Sequence, residues 1–250
     1  MKKFLSIALL FCVFTLSGCI SVVDGVPQDE YDELLAKYEE VVAQRDALMR
    51  GETIDISEET EKKPAGKFDE KTVLSQLEVT EYSFSTDFWN YSVLVIKNNS
   101  EFDLSISAST KYYNSAGALV GAKENEESPV ASGSEVCLYF MPDEKYAKME
   151  YELSVEEEEW FESVVHELSY ESSPAKNKEI VSVKNNGKEA AEFVEVYALF
   201  FNGDKPVALS SSYFTDDDSE LKPGNTITKE LDCYEDYTSV RFFLTGRRDK

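Results

Sequence analysis

Two stretches of sequence decide the fold: residues 93–99, VLVIKNN, and residues 180–186, IVSVKNN. Each is a short apolar run, rich in β-branched residues, that stops at a pair of asparagines. Such runs are typical of strands, and asparagine favours the turn that ends them. The same strand and turn therefore occur twice, which predicts an internal duplication.

Further landmarks recur about 90 residues apart, as expected for two copies that differ by small loop insertions. The recurring pairs are Asn98 with Asn185, Tyr112 with Phe200, Gly133 with Gly224, Tyr146 with Tyr237, and Leu153 with Leu244. The duplication divides the second part of the chain into residues 71–160 and residues 161–250.

Within each copy the apolar residues alternate with polar ones, which places them on one face of a strand. The first copy has Phe102, Leu104, Ile106 and Ala108, and the second has Phe193, Tyr197, Leu199 and Phe201 with one irregular step. A helical period is absent beyond residue 50, apart from a brief hint at residues 156–162. The predicted fold class is mainly β, with two tandem immunoglobulin-like β-sandwiches.

A family resemblance rests on residues 93–153, with Tyr112, Tyr113 and Asn114 ending an aromatic strand, and on the LKPG turn at residues 221–224. This pattern resembles the FxLYD type of extracytoplasmic domain. The resemblance implies compact β-sandwich modules, often repeated, on bacterial lipoproteins and other surface proteins. It implies no catalytic residue and no cofactor.

The N-terminus begins with Lys2 and Lys3, continues with an apolar stretch over residues 4–15, and reaches Leu16, Ser17, Gly18 and Cys19. The order is that of a secretory signal, too short to span a membrane as a helix. Its end resembles the lipobox of bacterial lipoproteins. The resemblance implies that residues 1–18 are removed and that a lipid on Cys19 anchors the protein at the extracytoplasmic face of the cell membrane. A plain signal with a chance cysteine is the alternative.

Residues 19–50 carry an amphipathic segment, and its apolar positions follow the spacing of a coiled-coil seam. The seam positions are Tyr31, Leu34, Tyr38, Val41, Arg45 and Leu48, of which Arg45 is charged. Residues 28–50 are too short for a stable independent coiled coil, so a lone stalk helix and a weak homodimer both fit. Residues 51–70 contain few apolar side chains and are predicted to be a disordered linker.

The charge balance excludes one class of partner. With 49 acidic against 25 basic residues the chain carries a formal charge of −24, which repels a nucleic acid. A solvated acidic surface is the simpler interpretation, and a site for a cation or a basic partner is the alternative.

Residues suited to catalysis are few. Cys12 leaves with the signal and Cys19 takes the lipid, so Cys137 and Cys233 remain. We expect two separate buried thiols, with a disulfide as the alternative. His166, placed in the first strand of the second copy, is the only histidine. No nucleophile, metal or phosphate motif occurs, and we expect no catalytic residue, cofactor or metal.

Three groups of residues are weighed as contact sites. Asp216, Asp217 and Asp218 are weak candidates for a Ca²⁺ site, although a solvated hairpin tip explains them better. Phe88, Trp89 and Tyr91 either contact a partner or cover a core. Trp160 and Phe161 are expected to pack at the junction of the two copies, with exposure for a ligand as the alternative.

These features predict a non-enzymatic, lipid-anchored envelope protein that presents two β-sandwich modules to a protein or cell-wall partner. A purely structural spacer is the first alternative. A hydrolase of the envelope that uses a pair of carboxylates is the second.

Overall fold

The computed structural model describes residues 67–216 and 218–250. This part of the chain is mainly β, with antiparallel sheets and a short α-helix, as the sequence predicts for the fold class. The helix α1 is Glu70–Ser75, and a 3-10 turn is Val165–Glu167. The strands are β1 Leu77–Ser85, β2 Asn90–Asn98, β3 Leu104–Tyr113, β4 Leu119–Val130, β5 Glu135–Phe140, β6 Lys148–Glu157, β7 Phe161–Ser163, β8 Leu168–Ala175, β9 Lys178–Asn185, β10 Ala191–Asn202, β11 Lys205–Tyr213, β12 Glu220–Leu221, β13 Thr226–Asp232 and β14 Ser239–Asp249.

The first half contains two three-stranded sheets, in the orders β1-β2-β5 and β4-β3-β6. Their facing sides share one apolar cluster, to which β2 gives Leu94 and Ile96 and β3 gives Leu104 and Ile106. All four side chains are fully buried. The alternation along β3 therefore places its apolar residues on the inner face, as the sequence predicts.

The second half repeats the same strand order. Its sheets are β8-β9-β13 and β11-β10-β14, with β7 added at the free side of β14 and β12 paired with β10. The second cluster takes Val181 and Val183 from β9 and Val196, Ala198 and Phe200 from β10. Each strand of the first half thus has a counterpart at the same place in the second.

A third apolar cluster lies between the halves, and sequence reasoning missed it. It joins Val93 and Val95 of β2 to Leu199 and Phe201 of β10, with Phe243 beside them. Both faces of β2 are therefore buried, which is why residues 93–96 are apolar without interruption. The same reason accounts for the unbroken apolar run at residues 198–201.

The asparagines that end β2 and β9 are buried. The Asn98 amide nitrogen donates to the carbonyls of Phe102, Val130 and Ala131 at 2.8, 3.1 and 3.2 Å. In the second half the Asn185 amide nitrogen donates to the carbonyls of Glu189 and Leu221, both at 2.8 Å. Each buried asparagine thus links the end of its strand to carbonyls of two other segments of the same half.

The glycines that follow, Gly133 and Gly224, occupy equivalent turns. Their φ angles are +77° and +74°, in the left-handed region that favours glycine. The amide of Gly133 donates to the carbonyl of Asn98, and the amide of Gly224 donates to that of Asn185, at 2.7 and 2.8 Å. These contacts tie the start of β5 and of β13 to the end of the preceding central strand.

Four local expectations are wrong. The linker ends before residue 70, because Phe68 packs edge-on against Phe102 at 5.4 Å and Asp69 caps α1 by accepting from the Thr72 amide at 2.9 Å. The helix α1 itself was not predicted. Residues 156–162 lie in the end of β6 and the start of β7, with no helix between.

The last correction concerns His166. It lies in the 3-10 turn that precedes β8, and the second half therefore begins its first full strand at Leu168. The side chain of His166 is exposed. The alternation of Val164, His166 and Leu168 predicts a strand. Val164 does pack in the second cluster, but it lies between β7 and the 3-10 turn and not in a strand.

The buried side chain of Asn98 gives a direct test of stability. Replacing Asn98 by alanine removes an amide that donates to three carbonyls at a buried position, and we expect the free energy of unfolding to fall by about 1–3 kcal/mol. Urea unfolding followed by circular dichroism measures the change. The control is Asn99→Ala, because Asn99 is the adjacent residue and is exposed. An equal loss in both variants would contradict the role assigned to the buried amide.

Candidate functional site

The turn between β1 and β2 presents two aromatic rings to solvent. Phe88 is 85% exposed and Trp89 is 57% exposed. The turn is closed by the Thr86 amide, which donates to the Trp89 carbonyl at 2.8 Å, and by the Trp89 amide, which donates to the Thr86 hydroxyl at 3.1 Å. We call residues 86–89 the hairpin tip.

The base of the hairpin tip is ordered by ring stacking. Tyr91 stacks on Phe84 with centroids 4.8 Å apart and planes 12° from parallel. The Tyr146 hydroxyl donates to the Tyr91 carbonyl at 3.3 Å, and burial raises the pKa of Tyr91. Of the predicted aromatics, Tyr91 thus forms the support, whereas Phe88 and Trp89 cover no core. Of the two alternatives that the sequence leaves open for these aromatics, cover of a core does not hold for Phe88 and Trp89.

Trp160 and Phe161 behave differently from each other. Trp160 is 75% exposed, so the prediction that it packs at the junction is wrong. The Glu158 carboxylate accepts from the amides of Trp160 and Phe161 at 2.8 and 3.0 Å, which holds this segment in place. Phe161 does pack, because its ring lies 4.1 Å from the guanidinium carbon of Arg247.

The acidic loop after β11 is organised by its own contacts. The Asp218 carboxylate forms an ion pair with Lys222 at 2.9 Å, and the hydrogen bond to Lys222 lowers the pKa of Asp218. The Asp216 amide donates to the Glu220 carbonyl at 2.9 Å. Within residues 67–216 and 218–250 no three metal-ligating side chains come together, and Asp217 lies outside these residues.

Among the described residues, the contacts of Cys137, Cys233 and His166 show no reactive pair. Cys137 and Cys233 are both free and buried, in agreement with the expectation of two separate thiols. Burial raises the pKa of Cys137 to about 12, so the thiol is protonated at neutral pH. The His166 ring nitrogen Nε2 lies 3.1 Å from the Ser132 carbonyl oxygen.

A cleft between the two halves brings together charged residues that the sequence did not single out. We call it the junction cleft; its cavity measures about 250 Å³. Its lining includes Glu127, Phe193, Glu195, Tyr197, Tyr213 and Arg247, and also Glu126, whose carboxylate accepts from the hydroxyls of Ser105 and Ser107. Glu127 comes from β4 of the first half. Phe193, Glu195 and Tyr197 come from β10 of the second half, Tyr213 from β11 and Arg247 from β14.

The junction cleft has distinctive electrostatics. Burial and the neighbouring Glu195 carboxylate raise the pKa of Glu127 to about 7. Glu195 accepts a hydrogen bond from the Tyr197 hydroxyl at 2.8 Å. Two carboxyl groups from opposite halves therefore face the same small cavity, and one of them titrates near neutral pH. Residues far apart in sequence form this cleft, and no local motif indicates it.

Cys19 and the seam of residues 28–50 lie outside the residues that the structure describes, as does most of the predicted linker. Over the described residues, no helix has both the length and the apolar character needed to cross a membrane.

Comparisons with known proteins add little to this geometry. No protein-family model matches the chain, and no curated protein sequence matches it. Among solved structures, the crystal structure of red sea bream transglutaminase is similar over 70% of this chain, with 10% sequence identity and a TM-score of 0.23. The chain covers 31% of that protein. A likeness this weak carries no argument about fold or activity.

The raised pKa of Glu127 predicts how stability changes with pH. The folded-state pKa, about 7, lies above the ordinary 4.5, so folding favours the protonated form. The stabilisation is complete below about pH 4.5 and is lost as the pH rises through 7, with a total of about 1–3 kcal/mol for a partly accessible group. Glu127→Gln removes this loss, and we expect the variant to melt at a higher temperature than the wild type at pH 8.

Thermal unfolding between pH 5 and pH 8 tests this expectation. Glu124→Gln is the matched control, because Glu124 lies exposed on the same strand and its replacement changes the net charge equally. Parallel pH profiles for the wild type and Glu127→Gln would show that the cleft does not penalise the charged carboxylate.

Proposed function

We propose that this chain is a non-enzymatic lipoprotein of the cell envelope, anchored through Cys19 at the extracytoplasmic face of the membrane. Residues 28–50 form its stalk, and residues 71–160 and 161–250 form two tandem FxLYD-like, immunoglobulin-like β-sandwiches. The modules contact an envelope component or an exported protein. The hairpin tip is the observation that carries the binding role, because it exposes Phe88 and Trp89 on an ordered support.

The strand order supports the immunoglobulin-like assignment. In that fold strand B lies between A and E, and strand C lies between F and an optional C′ strand. The first half has β2 between β1 and β5, and β3 between β4 and β6. The second half has the same order with β9 and β10 at the centres. In each half, the two central strands therefore have the neighbours expected for such a sandwich.

The exposure of the hairpin tip supports a contact surface. Burying two large aromatic rings on a partner removes apolar area from water, and aromatic residues are enriched where protein interfaces are strongest. The stacked pair Phe84 and Tyr91 fixes the base of the hairpin, which reduces the conformational entropy lost on binding. Exposed rings that contribute nothing to the cores are otherwise a liability for solubility.

The surroundings of the thiols and the histidine support a non-enzymatic role. Cys137 is buried among apolar side chains of the third cluster, where its thiolate is disfavoured. His166 stands on the surface next to a backbone carbonyl. Within the described residues, the contacts of these side chains provide no nucleophile with an adjacent base.

Each alternative is favoured by one observation. The third apolar cluster joins the halves, which suits a structural spacer. Glu127 and Glu195 in the junction cleft suit a hydrolase that uses two carboxylates, one of them with a raised pKa. Hydrolysis of envelope glycans that disappears in both Glu127→Gln and Glu195→Gln would replace our proposal with the enzyme.

Anchoring is tested by metabolic labelling with palmitate in a bacterial host. We expect Cys19→Ala to abolish the label and to release the protein from the membrane fraction, because the lipid has no other acceptor in the lipobox-like segment. Cys12→Ala is the control, since Cys12 lies within the predicted signal and should leave labelling unchanged. Retention of label in Cys19→Ala would refute the anchor.

The binding role of the hairpin tip is tested with the full chain in detergent. Co-sedimentation with purified cell-wall sacculi and pull-down with isolated envelope proteins measure binding. We expect the double variant Phe88→Ala and Trp89→Ala to lose at least ~10-fold in affinity, as for a pair of aromatic hot-spot residues. Tyr234→Ala is the control, because Tyr234 is 79% exposed on another loop. Absence of binding by the wild type to both preparations would favour the spacer.

A further inference from the structure

The junction cleft contains charges of both signs that form no direct salt bridge with one another among the described residues. Glu127, Glu195 and Arg247 line the same cavity of about 250 Å³. Arg247 is close enough to lower the pKa of Glu127, yet no salt bridge joins Arg247 to any carboxylate within the described residues. Its neighbour Arg248, by contrast, forms ion pairs with Glu162, Glu167 and Glu189.

Arg247 is held in a fixed orientation without a polar partner. Its guanidinium carbon lies 4.1 Å from the ring centre of Phe161 and 4.7 Å from that of Phe193. Its Nε atom is buried and makes no hydrogen bond. Aromatic rings that pack on a guanidinium leave its in-plane N–H groups as the donors, and these match a carboxylate in bidentate geometry.

The two carboxyl groups of the cleft are suited to an ammonium group. Glu195 is fixed by the Tyr197 hydroxyl at 2.8 Å, and Glu127 faces it from the other half. Neither carboxylate forms a salt bridge within the described residues. The aromatic residues Tyr197, Tyr213 and Phe193 line the same cavity.

We propose that the junction cleft binds a small zwitterion of the α-amino acid type, with its ammonium group on Glu127 and Glu195 and its carboxylate on Arg247. A ligand with only one charge would leave the opposite charge of the cleft unpaired and desolvated, which is costly. The cavity lies just below the ~300 Å³ typical of drug-sized ligands, so its occupant is small.

This site is separate from the hairpin tip and goes beyond the proposed function. Failure of either proposal leaves the other standing, since the residues of the two sites do not overlap. The bound zwitterion would bridge β4 of the first half and β14 of the second, so its binding should also raise the melting temperature.

Isothermal titration of the full chain in detergent at pH 7.5 tests the site. The probes are glycine, alanine, serine and threonine, each titrated to about 10 mM, with a dissociation constant of ~1 mM or below expected for at least one. Ethanolamine and acetate supply each charge alone. We expect both to bind at least ~10-fold more weakly than the best amino acid, because each leaves part of the cleft unpaired.

Variants locate the site. Glu195→Gln and Arg247→Gln should each weaken amino acid binding at least ~10-fold. The charge-matched controls Glu124→Gln and Lys111→Gln, at exposed positions of β4 and β3, should bind like the wild type. Melting temperatures verify that each variant is folded, and the single-charge probes test the wild type without any substitution.

Three results would overturn the proposal. They are no heat of binding for any of the four amino acids, equal binding of ethanolamine or acetate, and equal weakening in the control variants. The first would mean that the carboxyl pair holds only a shared proton, and the second that the cleft responds to a single charge.

Discussion

The structure depends on the burial of β2 and β10 on both of their faces. Each of these strands lies at the centre of its sheet and contributes to the core of its own half on one side and to the third apolar cluster on the other. A strand buried on both faces has no solvent side on which to place polar residues. The apolar runs at residues 93–96 and 198–201 satisfy that requirement and align the two halves on one another.

Much of the fold follows from patterns that act over short distances. Alternation along β3 indicates its buried face, and glycine at positions 133 and 224 indicates turns that need positive φ. The paired asparagines indicate turns, but the sequence does not reveal that Asn98 and Asn185 turn their amides inward to serve buried carbonyls. The short helix α1 has a clear cap at Asp69, yet its single buried residue, Val73, gives too little periodicity to predict it.

The candidate sites were harder to predict, because exposure and proximity are set by packing between distant segments. The sequence groups Phe88, Trp89 and Tyr91 as one aromatic cluster, and only the structure separates the two exposed rings from the supporting Tyr91. Trp160 was expected inside and lies outside, because the junction is filled by Val93, Val95, Leu199 and Phe201 instead. The junction cleft joins β4 to β10 and β14, and no sequence signal connects Glu127 with Glu195 or Arg247.

The third apolar cluster has a consequence for any attempt to separate the halves. A fragment that ended after β6 would leave Val93 and Val95 of β2 facing water, together with the ring of Tyr82. Such a fragment would expose an apolar patch on one sheet face, and two copies of it would tend to associate through that patch. In this chain each half therefore covers an apolar sheet face of the other half.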